Sequence, residues 1–384
     1  MVPYFILAHL AHHLVTALPV PLLPFIRDEF ALDYTRAGLV ISAFGISYGF
    51  CQLPAGWLAD RIGPRILITL SICGVAITGL LIGFSQTYIM LISFLVLMGV
   101  LGGGYHPASS TMIAQVVEPK KLGRAMGFHM IGGGASFFLA PLIAAAIAAA
   151  WGWRSPFILL AIPTIIFGII LHVSLKRQEF TKKTRPGTTG DDTRASPATS
   201  FSRRLITVVI FSTFTQAVLL SILPFIPLYL VDHFNISRET SAASMSLIFS
   251  AGLWASPLGG HLADRWGRLL VTVITCFSAA VIICLFSLVP YGWGIGVILV
   301  IFGIITYVNT TAAQAYIVDR TPAHRRSTIL GIYFFGSLEG NGVLTPVIGY
   351  LVDQLGFHNC FTTAGAAVFA VALASLISLR INRS

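Results

Sequence analysis

Apolar runs and short polar breaks alternate along the whole chain. Runs at roughly 3–26, 37–59, 66–85, 88–116, 125–150 and 155–175 lead into a polar stretch. Six more follow at roughly 205–231, 239–262, 269–289, 292–318, 327–351 and 358–380. A helix needs about 20 mostly apolar residues to cross the hydrocarbon core of a bilayer, and each run is of that order. The pattern predicts an all-α membrane protein of twelve transmembrane helices in two pseudo-symmetric six-helix bundles, residues 1–175 and 205–384, joined by a linker over 176–204. The linker carries TKKTRPGTTGDDTRASPATS, a composition that buries little and reads as a surface segment without fixed structure. The first run begins at Pro3, has no basic segment ahead of it and extends past Pro24. It is too long for the core of a leader and reads as the first spanning helix.

Composition sharpens this picture. The 384 residues are 56% hydrophobic and only 10% charged, with mean hydropathy +0.85. Soluble domains carry roughly a quarter charged residues, so a soluble α/β enzyme of this length is not expected. The net charge of +10 is not a nucleic-acid footprint, because the basic residues form no helical stripe. They lie between the apolar runs. With the N-terminus placed in the cytoplasm, only Arg27, Arg36, Arg154 and Arg238 of the 24 Lys and Arg residues fall outside. The positive-inside rule then puts both termini in the cytoplasm, in a plasma (inner) membrane. The five cysteines sit singly inside apolar runs with no CxxC or Cys/His spacing. They read as reduced packing residues, and no metal or cofactor is expected from them.

One loop occurs twice. Gly56-Trp57-Leu58-Ala59-Asp60-Arg61-Ile62-Gly63-Pro64-Arg65 follows the second run, and Gly260-His261-Leu262-Ala263-Asp264-Arg265-Trp266-Gly267-Arg268 follows the eighth, at an offset of 204 residues. Such a repeat indicates two parallel halves related by an axis along the membrane normal. The loop resembles the signature loop of the major facilitator superfamily, as do the twelve-helix pattern and the long central linker. The resemblance implies solute transport by alternating access. Gly63 suits a tight turn and Gly56 a close helix approach. Asp60 can cap a helix or pair with an arginine, and Arg61 and Arg65 add inner charge. With Arg124, Asp319, Arg326 and the second-copy residues Gly260, Asp264, Arg265, Gly267 and Arg268, these form a candidate conformational latch, in which Asp319 pairs with Arg326 and Glu118 with Arg124.

Two further stretches bear on the kind of transporter. Ser136, Ala140, Pro141, Ala144 and Ala145 stand where drug antiporters of the superfamily carry GxxxGPxxGG, and of that pattern only the proline remains. Ala8-His9-Leu10, Gly103-Gly104-Tyr105-His106-Pro107-Ala108-Ser109-Ser110 and the stretch from Gly132-Gly133 to Pro141 are similar to fosmidomycin-resistance-type exporters.

Ionisable groups inside a membrane are costly and mark function by default. Glu339 lies about thirteen residues into the eleventh run, roughly 20 Å deep at 1.5 Å per residue, among Gly336, Ser337, Gly340, Asn341 and Gly342. It suits a proton carrier. His9, His12 and His13 lie in the first run. His9 and His13 share a face continued by Thr16, and His106 of the fourth run reaches a similar depth. Histidine suits proton relay or anion binding, or simply a neutral hydrogen bond to backbone. A metal site is a minor option, because no cysteine or carboxylate is placed to complete it. Tyr48, Gln52, Gln216, Tyr307, Asn309 and Asn341 complete the candidate substrate or proton pathway, each equally readable as interhelical glue. His129 lies similarly in the fifth run, and Arg154 beside Trp153 reads as an interfacial anchor.

No GxSxG, Walker A loop or metal-ligand cluster is present, so no enzymatic activity is expected, and movement must follow a gradient. The leading expectation is a monomeric, proton-coupled secondary transporter exporting a small drug-like or organic molecule. The alternative is proton-coupled uptake of an organic anion. A non-transporting membrane sensor is the competing class, and the short linker leaves no room for a signalling domain.

Overall fold

The computed structural model describes residues 2–118, 121–182, 203–321 and 326–381. Among them there is no strand. Fifteen helices follow one another: α1 (Val2–Thr16), α2 (Leu23–Glu29), α3 (Tyr34–Ile62), α4 (Pro64–Gly83), α5 (Tyr88–Gly102), α6 (Tyr105–Val116), α7 (Leu122–Trp151) and α8 (Ser155–Lys182), then α9 (Arg203–Ile222), α10 (Phe225–Phe234), α11 (Arg238–Ser250), α12 (Ala255–Trp266), α13 (Arg268–Leu285), α14 (Trp293–Arg320) and α15 (Arg326–Ile381). Nine stretches are long and apolar enough to cross a membrane among the described residues. The pairs α1–α2 and α11–α12 are spans broken midway, and α15 turns at Gly356, where φ is 75° and ψ 166°. Counting those brings the crossings to the expected twelve.

The breaks have local causes. Pro19 and Pro21 lie between α1 and α2 and Pro224 between α9 and α10, and proline cannot continue the hydrogen-bond ladder. The glycines at 103–104 separate α5 from α6. Helix α8 runs on to Lys182, past the predicted start of the linker at 176. Nothing apolar is needed for those extra turns, because Lys176, Arg177, Gln178, Glu179 and Lys182 are all good helix formers.

The 204-residue offset of the repeated loop extends through the backbone of both halves. Asp33 accepts the Arg36 N–H at 2.7 Å to cap α3, and Ser237 accepts the Thr240 N–H at 3.1 Å to cap α11. Gly63 and Gly267 turn at φ 89° and 96°, Gly152 and Gly356 at φ 81° and 75°, and Ala31 and Asn235 take left-handed φ values of 50° and 54°. Close packing repeats as well. A Cβ on Gly99 would lie 2.6 Å from the Phe44 carbonyl oxygen, and one on Gly303 would run into the carbonyl of Ile248.

Contacts divide the chain into two compact units. Unit 1 holds Met1–Ala31, Leu39–Asp192 and Ser237–Ser246; unit 2 holds Leu32–Gly38, Thr193–Ile236 and Leu247–Ser384. The core of unit 1 gathers Phe5, Ala8, Leu67, Ile72, Tyr105, Met112 and Leu171 around the crossing of α1, α4 and α6. That of unit 2 gathers Val208, Phe211, Cys276, Tyr316, Ile317 and Tyr333 from α9, α13, α14 and α15.

Candidate functional site

Unit 1 concentrates its polar chemistry where α1 meets α6 and α7. The α7 pair Gly132–Gly133 makes this possible. A Cβ on Gly132 would strike the Ile6 carbonyl, and one on Gly133 would sit 2.6 Å from both Cε1 and Nε2 of His9. With two bare positions, α1 approaches closely enough for side chain and backbone to interlock. His9 Nδ1 lies 2.8 Å from the carbonyl oxygen of His129, and His129 Nδ1 lies 3.0 Å from that of Phe5. A carbonyl only accepts, so both rings donate from Nδ1, and in their neutral forms both keep a lone pair on Nε2. The two rings stack with centroids 4.2 Å apart.

Three more histidines complete the group. His13 Nε2 faces His106 Nε2 at 3.3 Å, while His13 Nδ1 is 3.0 Å from the Thr16 hydroxyl. His12 Nε2 is 3.3 Å from the Tyr48 hydroxyl, and its ring stacks on Tyr105 at 4.3 Å. His9, His12, His13 and His129 are buried and His106 is half-buried. Two polar atoms inside the group have no hydrogen-bond partner, Nδ1 of His12 and the hydroxyl of Tyr105. The structure therefore brings together His9, His12, His13, Tyr48 and His106 of the predicted pathway and adds His129 and Tyr105. Gln52, one turn beyond Tyr48 on α3, is half-buried.

Unit 2 holds a second polar group at positions equivalent by the repeat. At the repeat offset His12 corresponds to Gln216 and Tyr105 to Asn309. The Asn309 amide donates to Gln216 at 3.4 Å and its oxygen accepts from Thr275 at 3.0 Å. Tyr307 covers Gly252, where a Cβ would lie 2.8 Å from the ring. The same offset pairs Tyr48 with Gly252 and Gly103 with Tyr307, and a Cβ on Gly103 would lie 2.7 Å from the Tyr48 carbonyl oxygen. One half places the tyrosine on its second spanning segment and the other on its fourth. Asn341 accepts the Thr345 hydroxyl at 2.9 Å, within its own helix. Glu339 falls in α15, and its side chain lies outside the described residues.

The repeated loops differ in their contacts. In unit 2, Arg268 pairs with Asp319 at 3.1 Å and Asp264 at 3.8 Å and donates to the Ala315 carbonyl, while Arg265 is exposed. The predicted Asp319 partner, Arg326, has its side chain outside the described residues. In unit 1, Asp60 is exposed, Arg65 is half-buried, and Arg61 lies over the Trp57 ring at 4.1 Å. Glu118 pairs with Lys121 at 2.9 Å, and Arg124 lies over Phe128. Gly63 and Gly267 supply the turns. Gly56 and Gly260 make no close approach; that falls to Gly259, where a Cβ would lie 3.0 Å from Val308 Cα.

Two polar clusters lie at helix ends. In unit 1 the Arg154 guanidinium pairs with Glu29 and donates to the Ser85 carbonyl oxygen at 2.7 Å, and the Trp153 indole N–H donates to Glu29 at 2.6 Å. Arg154 thus ties three segments together. Burial pushes the Glu29 carboxyl up, but hydrogen bonds from Arg154 and Trp153 and the guanidinium charge hold it below the ordinary carboxylate value. In unit 2, Asp353 accepts the N–H groups of Tyr34 and Thr35, both at 2.9 Å, and the Thr35 hydroxyl at 2.6 Å. Neither cluster had a sequence signal beyond the identity of its residues.

Comparison with known proteins places this arrangement. The family profile described as Major Facilitator Superfamily matches residues 5–338 and 224–383. The chain is 28% identical to the multidrug resistance protein MdtG of Proteus mirabilis, over 95% of this chain and 92% of that protein. It is 22% identical to the fosmidomycin resistance protein of Escherichia coli, over 91% and 85%. A bacterial homologue of the human lysosomal transporter Spinster, in an inward-facing and occupied conformation, shares the fold with a TM-score of 0.76 at 17% identity, over 99% of this chain and 94% of that one.

Proposed function

The chain belongs to the major facilitator superfamily and is a multi-pass membrane protein, and we propose that it is a proton-coupled secondary transporter that exports a small drug-like or organic molecule. The observation that carries this reading is the group of five histidines, four of them buried and one half-buried, and two buried tyrosines in unit 1. Five imidazoles in an apolar bundle are costly to keep there, and a polar lining is what a small solute or a proton needs to cross. Export is favoured because the chain is similar along its length to resistance proteins of this superfamily.

In this reading His9, His12, His13, Tyr48, Gln52, His106, Gln216, Tyr307, Asn309 and Asn341 are the polar residues of the substrate or proton pathway. Glu339, by its place in the sequence, carries the proton. Alternating access is the work of the bundles 1–175 and 205–384, joined over 176–204. The repeated loops, with Arg268 drawing Asp264 and Asp319 together, latch one conformation. Both termini face the cytoplasm at the plasma membrane, as the distribution of Lys and Arg supports, and one chain suffices.

The test is proton flux in proteoliposomes under an imposed pH gradient, with a panel of hydrophobic drugs and small organic anions added in turn. Proton movement opposite to one compound is the expected result. Co-movement of proton and an organic anion would replace export with uptake. Glu339→Gln should abolish the coupled flux, and full flux in that variant would remove Glu339 as the carrier. No compound-dependent proton movement from folded protein would overturn the coupling.

A further inference from the structure

We infer that His9, His106 and His129 form a binding site for a zinc-class divalent transition metal, with an anion as its fourth ligand. One ring nitrogen from each of these residues lies within 4.8 Å of the others. They come from α1, α6 and α7, so no sequence spacing announces the set.

The hydrogen bonds around the three rings are those of a metal site's outer shell. A ligating imidazole donates its other N–H to a carbonyl, carboxylate or similar acceptor, which fixes the tautomer and aims the lone pair. His9 donates from Nδ1 to the His129 carbonyl and His129 donates from Nδ1 to the Phe5 carbonyl. Both therefore present Nε2 as a lone pair. The third ring fits the same pattern. With His106 Nε2 donating to His13 Nε2, His13 is left to donate from Nδ1 to the Thr16 hydroxyl. His106 then keeps its lone pair on Nδ1. This tautomer set satisfies all four contacts and leaves one lone pair on each of the three rings, and the His9 and His129 planes, now stacked 21° apart, turn for both to reach one ion.

Geometry and charge define the occupant. Tetrahedral zinc with Zn–N bonds of about 2.0–2.1 Å holds its nitrogens roughly 3.4 Å apart, so binding draws the rings inward from their present spacing. Imidazole nitrogens suit zinc, nickel, copper and cobalt and exclude magnesium and calcium. Three neutral imidazoles leave the ion's charge of two uncompensated, and among the described residues no carboxylate joins the group. A bare dication in such a place is unfavourable, so the open position takes an anion. Two buried groups without partners, His12 Nδ1 and the Tyr105 hydroxyl, lie in the same cluster and are free to hydrogen-bond that ligand. His106 is the one half-buried ring of the three.

Binding is measurable without any transport, so this inference stands or falls apart from the proposed export. The full chain, purified without a histidine tag and stripped with chelator, is titrated with Co²⁺ in chloride buffer and then with Zn²⁺. One equivalent of tetrahedral Co²⁺ absorption, displaced by Zn²⁺, is expected. His106→Asn, whose ring bonds no backbone group, should lower the affinity at least about 100-fold, while exposed His358→Asn leaves it unchanged. X-ray absorption of the zinc-loaded wild type should show three imidazoles and one oxygen or chloride, which needs no variant to fold. Absence of the cobalt band, equal affinity in His106→Asn, or fewer than three imidazoles on zinc would overturn the site.

Discussion

The Nδ1–H of His9 donates to the backbone carbonyl of His129 across 2.8 Å, and the ring of His129 donates in turn to the carbonyl of Phe5, one turn before His9. Each helix thus receives a side chain of the other on its backbone. Both bonds depend on how near α1 comes to α7; Gly132 admits the Ile6 carbonyl, and Gly133 leaves room for the His9 ring, where a Cβ would lie 2.6 Å away.

Gly133→Ala is therefore expected to displace His9 and part the two bonds. Overpacking of this kind costs about 1–3 kcal/mol, and transport should fall by more than the drop in folded protein explains. Gly127→Ala, on the same helix but with open space at Cβ, is the control. Thermal unfolding and vesicle transport of the two variants decide it: equal behaviour of both would show that the close approach does not matter.

Ala31 gives a prediction of the opposite sign. It takes φ 50°, as does its repeat partner Asn235 at φ 54°. An L-residue with a Cβ pays about 1–2 kcal/mol in the left-handed region, and asparagine and glycine are its usual occupants. Ala31→Asn and Ala31→Gly should each stabilise the protein by about 1 kcal/mol with transport unchanged. A lower melting temperature in both would show that Ala31 is held there by contacts worth more than the strain.

Much of the fold was legible in the sequence because lipid is an unforgiving solvent: a crossing helix has to be an apolar run, and the runs stand apart. The repeat was legible because Asp60-Arg61 and Asp264-Arg265 recur with their glycines, and the backbone extends that offset from Ala31 to Gly356. The histidine group was half legible. His9 and His13 lie one turn apart, and the periodicity of one helix shows that. His129 lies 120 residues away, and its role rests on a backbone carbonyl, which every residue has. Asp353 and Glu29 were invisible for a similar reason, since an acidic residue at a helix end is unremarkable until its partner arrives from a distant segment.

Inside unit 2 the first turn of α3 is satisfied from outside its own helix. Asp353 accepts from Tyr34 and Thr35, and Asp33 from Arg36, which leaves no early donor of that turn for water to serve. Asp353→Asn keeps the shape but turns an amide N–H toward a donor. The expected loss is about 1–2 kcal/mol, seen as a lower melting temperature. Asp353→Glu should restore less than half, because the longer chain cannot meet both N–H groups in the same geometry. An unchanged melting temperature for Asp353→Asn would show the cap to be dispensable.

The Glu29 cluster predicts how stability follows pH. Trp153 and Arg154 hydrogen-bond the Glu29 carboxylate and hold its pKa below the ordinary 4.5. A carboxyl depressed on folding contributes stability that is fully present above its unfolded value and is lost as pH falls through the folded one. The wild type should therefore keep this contribution at neutral pH and lose it progressively below about pH 4.5, near the unfolded value. Glu29→Gln keeps the shape and one acceptor but has no charge to lose. It should melt lower than the wild type at pH 7, and the two should converge as the pH drops toward 3. Arg154→Lys should lie between them, since a lysine cannot serve Glu29 and the Ser85 carbonyl together as the guanidinium does. Because the pair is partly open to water, the difference should also shrink in high salt. Parallel melting curves for wild type and Glu29→Gln across that pH range would show that the carboxylate's charge contributes nothing there.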